Sequence, residues 1–266
     1  MIKTLLFVTF LSLFHVSLGQ VTVTTDPLVN GIREKTVTLK CSFAGPANAG
    51  SGVVITWSHT PERGGPTEVI YSKSDGSSGV ARGRFVGRVN VAGTRADLTI
   101  SRLEILDAGT FICDVNFYVA KQIGSGSTTL KVNQVAEIVD ILNHYTGDYA
   151  YTPLKRMSSF ECRASRAKPA AKLIWTKNNR PLQSSGAERI EENMDGTFNT
   201  ISQISFTPVR EDHHRMLRCQ SDQSPYLQGQ YKQDHITLSL SGAAIRSISM
   251  VFLFVSIVIG MVLTKM

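Results

Sequence analysis

Apolar and polar residues alternate in short runs along most of the chain, with a period of two rather than 3.6. Runs such as "KTVTLKCSF" (35–43), "VVITWSH" (53–59), "RADLTISRL" (95–103) and "GTFICDVNFYV" (109–119) put every second side chain on one face of an extended strand. Clusters of Gly, Pro, Ser and Asn punctuate them, and no long amphipathic helical stretch intervenes. Strands joined by turns without crossover helices predict antiparallel sheets packed as a sandwich. The rhythm restarts after Asn133 with "SSFECRA" (158–164), "KLIWTK" (172–177), "TISQISFTP" (200–208) and "RMLRCQS" (215–221). Two stretches of like design predict an all-β protein of two domains, residues 20–132 and 133–240.

The pattern breaks only at the two ends. Residues 1–19 begin Met-Ile-Lys, continue through "LLFVTFLSLFHV" and close on Ser17 and Gly19 at the −3 and −1 positions, which predicts a secretory signal peptide. Residues 248–263 ("ISMVFLFVSIVIGMVL") are sixteen residues without a charge. As a helix they would span about 24 Å, short of the roughly 30 Å hydrocarbon core. Three small residues, Ser241, Gly242 and Ala243, precede them. Small residues ahead of a terminal apolar tail predict a glycolipid (GPI) anchor over 241–266, attached at Ser241; a single-pass helix is the alternative. Either way the expected location is the outer leaflet of the plasma membrane at the cell surface.

Export to an oxidising compartment changes how the four cysteines are read. Trp57 lies 16 residues after Cys41 and Cys113 lies 72 after it; Trp175 and Cys219 lie 13 and 57 after Cys162. Cys…Trp…Cys in this order on alternating strands resembles the pin of an immunoglobulin sandwich. The longer first spacing resembles a V-set domain and the shorter second one a C2-type domain. The segments "LTISRLEILDAGTFIC" and "ECRASRAKPAAKLIWTKNNRPL" are similar to nectin and nectin-like adhesion proteins and related two-domain receptors. The resemblance implies disulfides Cys41–Cys113 and Cys162–Cys219, each clamping opposed sheets beneath a core indole, Trp57 or Trp175. It also implies that Phe111 is the corner aromatic two residues before the second cysteine, normally a tyrosine bonded back to the turn. Asp107 is then expected to pair with Arg84 or Arg88, and Gly109 to permit the tight corner.

With Trp57 and Cys113 inward, alternation sends Ile55, His59, Phe111, Val115 and Phe117 inward as well. Thr56, Ser58, Asp114, Asn116 and Tyr118 then face out, joined by Val69 and Tyr71 on the next strand. Small and aromatic groups with a single acid are what protein interfaces favour over charged surface. Proteins of the resembling family often pair through this face and the loop at 119–123. The sequence has no Asn-X-Ser/Thr acceptor, so no N-glycan covers it.

Charge and candidate chemistry add mainly exclusions. The formal charge of +7 falls to +4 without the terminal segments, which remove Lys3, Arg246 and Lys265 and no acid. No Lys/Arg run of the kind that binds nucleic acid is present. Arg82, Arg84, Arg88 and Arg95 form a loose basic stretch, with sulfated-glycan binding as a weaker reading. His213-His214 invite a metal reading, but neighbours on a strand point apart and no third ligand is near in sequence. No triad or cofactor motif is recognisable, so neither an enzyme nor a cofactor or metal is expected. The sequence therefore points to a surface recognition protein: cell–cell adhesion through the distal V domain, self or related immunoglobulin protein as partner, with weak V-domain homodimerisation. An immune-regulatory ligand or decoy for a lymphocyte receptor is the alternative.

Overall fold

The computed structural model describes residues 20–45, 52–91, 96–142 and 149–241. The signal segment, the tail from 242 onward and Arg95 lie outside the described residues. Among the described residues no helix is long and apolar enough to cross a membrane. The chain divides between Lys131 and Val132 into two compact units.

The first unit contains β1 (Thr22–Thr25), β2 (Leu28–Ile32), β3 (Val37–Leu39), β4 (Cys41–Ala44), β5 (Val53–Pro61), β6 (Glu68–Ser74), β7 (Val80–Ala81), β8 (Val89–Val91), β9 (Leu98–Ile100), β10 (Gly109–Phe117) and β11 (Gln122–Asn133). The principal sheet runs β2-β11-β10-β5-β6-β7; β3-β9-β8 and the β1-β4 pair complete the sandwich. Side chains of β10 alternate strictly between buried and half-buried from Gly109 to Phe117, as period-two patterning requires. Cys41 and Cys113 are joined, with 6.6 Å between their α-carbons. Cys113 lies directly across from Trp57 in the β10–β5 ladder, so the indole is the disulfide's immediate neighbour. Trp57 is fully buried and donates from Nε1 to the Ala96 carbonyl at 2.8 Å, satisfying the one polar atom of the ring.

The second unit contains β12 (Ile138–Leu142), β13 (Tyr149–Pro153), β14 (Ser158–Ala167), β15 (Lys172–Lys177), β16 (Arg180–Leu182), β17 (Arg189–Glu192), β18 (Phe198–Phe206), β19 (Met216–Asp222) and β20 (Gln233–Ser241). They form sheets β12-β14-β18-β17 and β13-β20-β19-β15-β16. The construction repeats: Cys162 is bonded to Cys219, Trp175 sits across from Cys219, and its Nε1 donates to the Ser202 hydroxyl at 3.2 Å. Phe160, Ile204, Leu217 and Leu238 fill the core around the bridge. Strand β13 runs parallel to β20, pairing Pro153 with Ser241, the last described residue. Ser241 is exposed and its carbonyl accepts from the Leu154 N–H at 3.1 Å.

The two histidines do not splay apart as strand neighbours would. Their rings face each other with centroids 3.9 Å apart, because His214 has a positive φ (58°) that turns the chain, and His213 Nδ1 accepts from the Leu240 N–H at 3.1 Å. The pair is absorbed into the end of the fold.

Both units share one corner. In each, an aspartate closes a single 3₁₀ turn, Ile105–Asp107 or Arg210–Asp212, and accepts from the backbone N–H three residues upstream, Glu104 or Val209, at 2.9 Å. Each carboxylate also holds a cation: Lys177 Nζ lies 2.8 Å from Asp212, and two arginines converge on Asp107. That recurrence is what "LDAGTFIC" and "EDHHRMLRC" encode.

Candidate recognition face

Arg88 is the main partner of Asp107. Its guanidinium forks onto the fully buried carboxylate at 2.7 and 3.0 Å, and the pair holds the arginine's pKa above its ordinary value. Arg84 adds a contact of 3.2 Å to Asp107 Oδ1 and donates to the Leu106 carbonyl. The expected Arg84 bridge is thus present but secondary: Arg88, nearly buried beside the carboxylate, supplies the bidentate geometry. Gly109 follows. A β-carbon there would fall inside contact distance of the Thr60 carbonyl oxygen and 2.8 Å from His59 Nε2, so only glycine lets β10 start this close to β5.

Phe111 is fully buried and lies directly across from His59, their ring centroids 4.5 Å apart; Phe85 closes the cluster 5.3 Å from His59. Phe111, where the resemblance implies a tyrosine, has no hydroxyl and packs against the His59 imidazole instead. Burial, then the positive charge of Arg84, hold the His59 pKa below its usual value near 6.5. The Nε2 atom has no hydrogen-bond partner among the described residues. Because the folded pKa is lowered, His59 contributes stability that is present above the unfolded pKa of about 6.5 and lost as pH falls through the folded value. The thermal midpoint of the first unit is expected to drop on acidification from pH 7 to pH 5, and His59→Phe, scanned by calorimetry at both pH values, to shrink that drop.

The outward side of the β11-β10-β5-β6 sheet presents three rows. Ser127, Ile112, Ser58 and Val69 make one; Ser125, Asp114, Thr56 and Ser72 the next; Ile123, Asn116, Val54 and Ser74 the third. The rows are built of small hydroxyls and β-branched groups, and Asp114 is their one charge. At their upper edge the β10–β11 connection raises Tyr118 and Val119, 70% and 65% exposed, beside Ile123 at 65%.

Two expected members of this face are placed differently. Tyr71 is buried, not outward. A bulge between Trp57 and Ser58 leaves Ile70 as an extra residue, so Val69 and Tyr71 point to opposite sides, and Tyr71, paired with Trp57, packs its ring against Gly79. Ser58 lies in the outward register but is only 8% exposed, shaded between Ile112 and Val69, and offers a partner little area. Thr56, Asp114 and Asn116 are half-buried within the face, while Val69 and Tyr118 are exposed. Ile112 and Val54 stand outside the expected set, although alternation from Cys113 and Trp57 sends both outward; Ile123 lies in the expected 119–123 loop and continues the face.

Residues 24–133 match the immunoglobulin V-set domain family and residues 152–226 the CD80-like C2-set immunoglobulin domain family. The chain is a member of the immunoglobulin superfamily, a V-set domain followed by a C2-set domain, and its fold is the expected one. The family is one of recognition domains rather than enzymes. Mouse cell adhesion molecule 3 is 25% identical over 185 residues, covering 69% of this chain and 42% of that protein. Myelin protein P0 of Xenopus tropicalis is 32% identical over 97 residues, covering 35% of this chain and 40% of its own length. Among solved structures, Rst D1-D2 superposes with a TM-score of 0.63 at 19% identity, over 84% of this chain and all of that one. The mouse nectin-like molecule 4 ectodomain follows at TM-score 0.59 and 17% identity, over 81% of this chain and 67% of that one. The chain spans less than half the length of the curated relatives it matches here.

Proposed function

We propose that this is a cell-surface recognition protein that supports cell–cell adhesion through the outward sheet face of its V-set domain, binding another copy of itself or a related immunoglobulin protein. The cell adhesion molecules among its relatives support the adhesive role. The observation that carries the reading is the face itself: a broad, glycan-free, nearly uncharged surface bounded by the exposed Tyr118, Val119 and Ile123. Contacts at such a face are individually weak and are multiplied when many molecules are confined to opposing membranes. A GPI-type attachment at Ser241, with a single-pass helix as the alternative, would provide that confinement at the cell surface.

Beads coated with the full chain are expected to aggregate if the partner is another copy, and to bind only cells bearing a different protein if it is a relative. In either format Tyr118→Ala should reduce binding at least threefold with no change in thermal midpoint, since the ring is 70% exposed. Binding that survives Tyr118→Ala intact would move the site elsewhere.

A further inference from the structure

In the second unit the sheet β12-β14-β18-β17 ends on a strand that no other strand covers among the described residues. All four side chains of β17 are exposed, and alternate N–H and C=O groups of its backbone point away from β18. Ile190 shows the consequence. It continues the inward row of Val139, Ala164 and Thr200. Those three are buried, whereas Ile190 is 54% exposed because the sheet stops there. A core row that runs out into solvent leaves apolar area for a further strand to bury. The other edges of this unit are blunted. Pro181 in β16 and Pro153 at the end of β13 have no N–H to donate, and the Ile141 N–H of β12 donates to the Asp234 carboxylate at 2.8 Å.

Charges on an edge strand usually deter pairing, but on β17 their order selects a partner. Arg189 and Glu191 share the side of the strand opposite Ile190 and lie 3.1 Å apart. An antiparallel strand of the same sequence, centred on Ile190, sets Ile190 against Ile190 and Arg189 against Glu191, the latter twice by the two-fold symmetry. Glu192 then comes opposite Glu188, whose carboxylate is engaged with the Leu173 N–H of the facing sheet at 2.7 Å. A slip of one residue sets Ile190 opposite a charge and loses the self-match, so the register is specified. We propose that two copies of this chain pair side by side through their β17 edges, joining their four-stranded sheets edge to edge. The contact uses no residue of the V-set face and stands independently of the function assigned to it. A seam four residues long is weak by itself and gains from the crowding of copies at one surface.

Disulfide trapping tests both the contact and its register. The four native cysteines are all bonded, so one introduced cysteine is the single free thiol of each copy. Directly opposed residues on antiparallel strands have α-carbons about 4.5–5.5 Å apart, within disulfide reach; positions displaced by two residues are roughly 8 Å apart and outside it. The experiment is mild oxidation of the purified full chain at high concentration, read as covalent dimer on a non-reducing gel. Ile190→Cys is expected to form dimer. Arg189→Cys and Glu191→Cys should each form at least fivefold less alone, and cross-link to one another when mixed. Added to Ile190→Cys, Glu191→Arg should cut the yield at least fivefold, and the exchange Arg189→Glu/Glu191→Arg should restore it. Absence of dimer from Ile190→Cys overturns the proposal. Equal yields from Ile190→Cys and from Arg189→Cys alone also overturn it, since they would report random collision. A yield untouched by Glu191→Arg would contradict the charge match that selects a second copy, and the proposal fails with it.

Discussion

Asp107→Leu is expected to destabilise the V-set domain by about 3–5 kcal/mol, read as a fall in its urea midpoint at pH 7. The carboxylate is fully buried and accepts the forked Arg88, Arg84 and the Glu104 N–H. Removing it leaves a nearly buried guanidinium with no counter-charge, and that orphaned charge is most of the cost. The companion variant Arg88→Met, which keeps the apolar stem and removes the charge, should cost a similar amount. The double variant Asp107→Leu/Arg88→Met should recover part of the loss, because no lone charge then remains. A double variant as unstable as the sum of the singles would show that the pair contributes through packing and not through charge.

Removal of the Cys41–Cys113 bridge has a comparable expected effect. The bond closes a loop of 72 residues, and constraining so long a stretch of the unfolded chain is worth about 4 kcal/mol in the chain-entropy treatment. In Cys41→Ala/Cys113→Val the sheets remain held by the Trp57 indole and its bond to Ala96, so the domain should still fold in the cold and lose its cooperative transition well below the parent midpoint. The measurement is a thermal scan of the full chain followed by near-ultraviolet circular dichroism. A midpoint within a few degrees of the parent's would mean that the core is stable without the bridge.

The layout was legible because it rests on strict local rules. Alternation around Cys113 needed only the period of two, and β10 obeys it at every position. The corner was legible in "LDAGTFIC", since the acid, the glycine and the aromatic each answer a separate geometric demand at that turn. What escaped was set by partners distant in sequence. Tyr71 turned inward because a bulge inserts Ile70, and nothing within "EVIYSKS" marks where the ladder slips. The main partner of Asp107 could not be chosen between two arginines four residues apart, because the choice depends on the 3₁₀ turn Gly83–Phe85, which carries Arg84 and leaves Arg88 beyond it to fork onto the carboxylate. Gly109 read as the residue that permits a tight corner, yet its decisive feature is the Thr60 carbonyl of the neighbouring strand.

The recognition face can be tested most directly with carbohydrate. Tyr118→Thr completes an Asn-X-Thr acceptor at Asn116 and sets an N-glycan on the face, whereas Ala92→Thr completes one at Asn90, on the three-stranded sheet instead. Adhesion of cells displaying each glycosylated full chain, beside the unglycosylated Tyr118→Ala, at matched surface density is the measurement. The account predicts that a glycan at Asn116 abolishes adhesion and one at Asn90 leaves it unchanged; adhesion that persists with Asn116 glycosylated would contradict it.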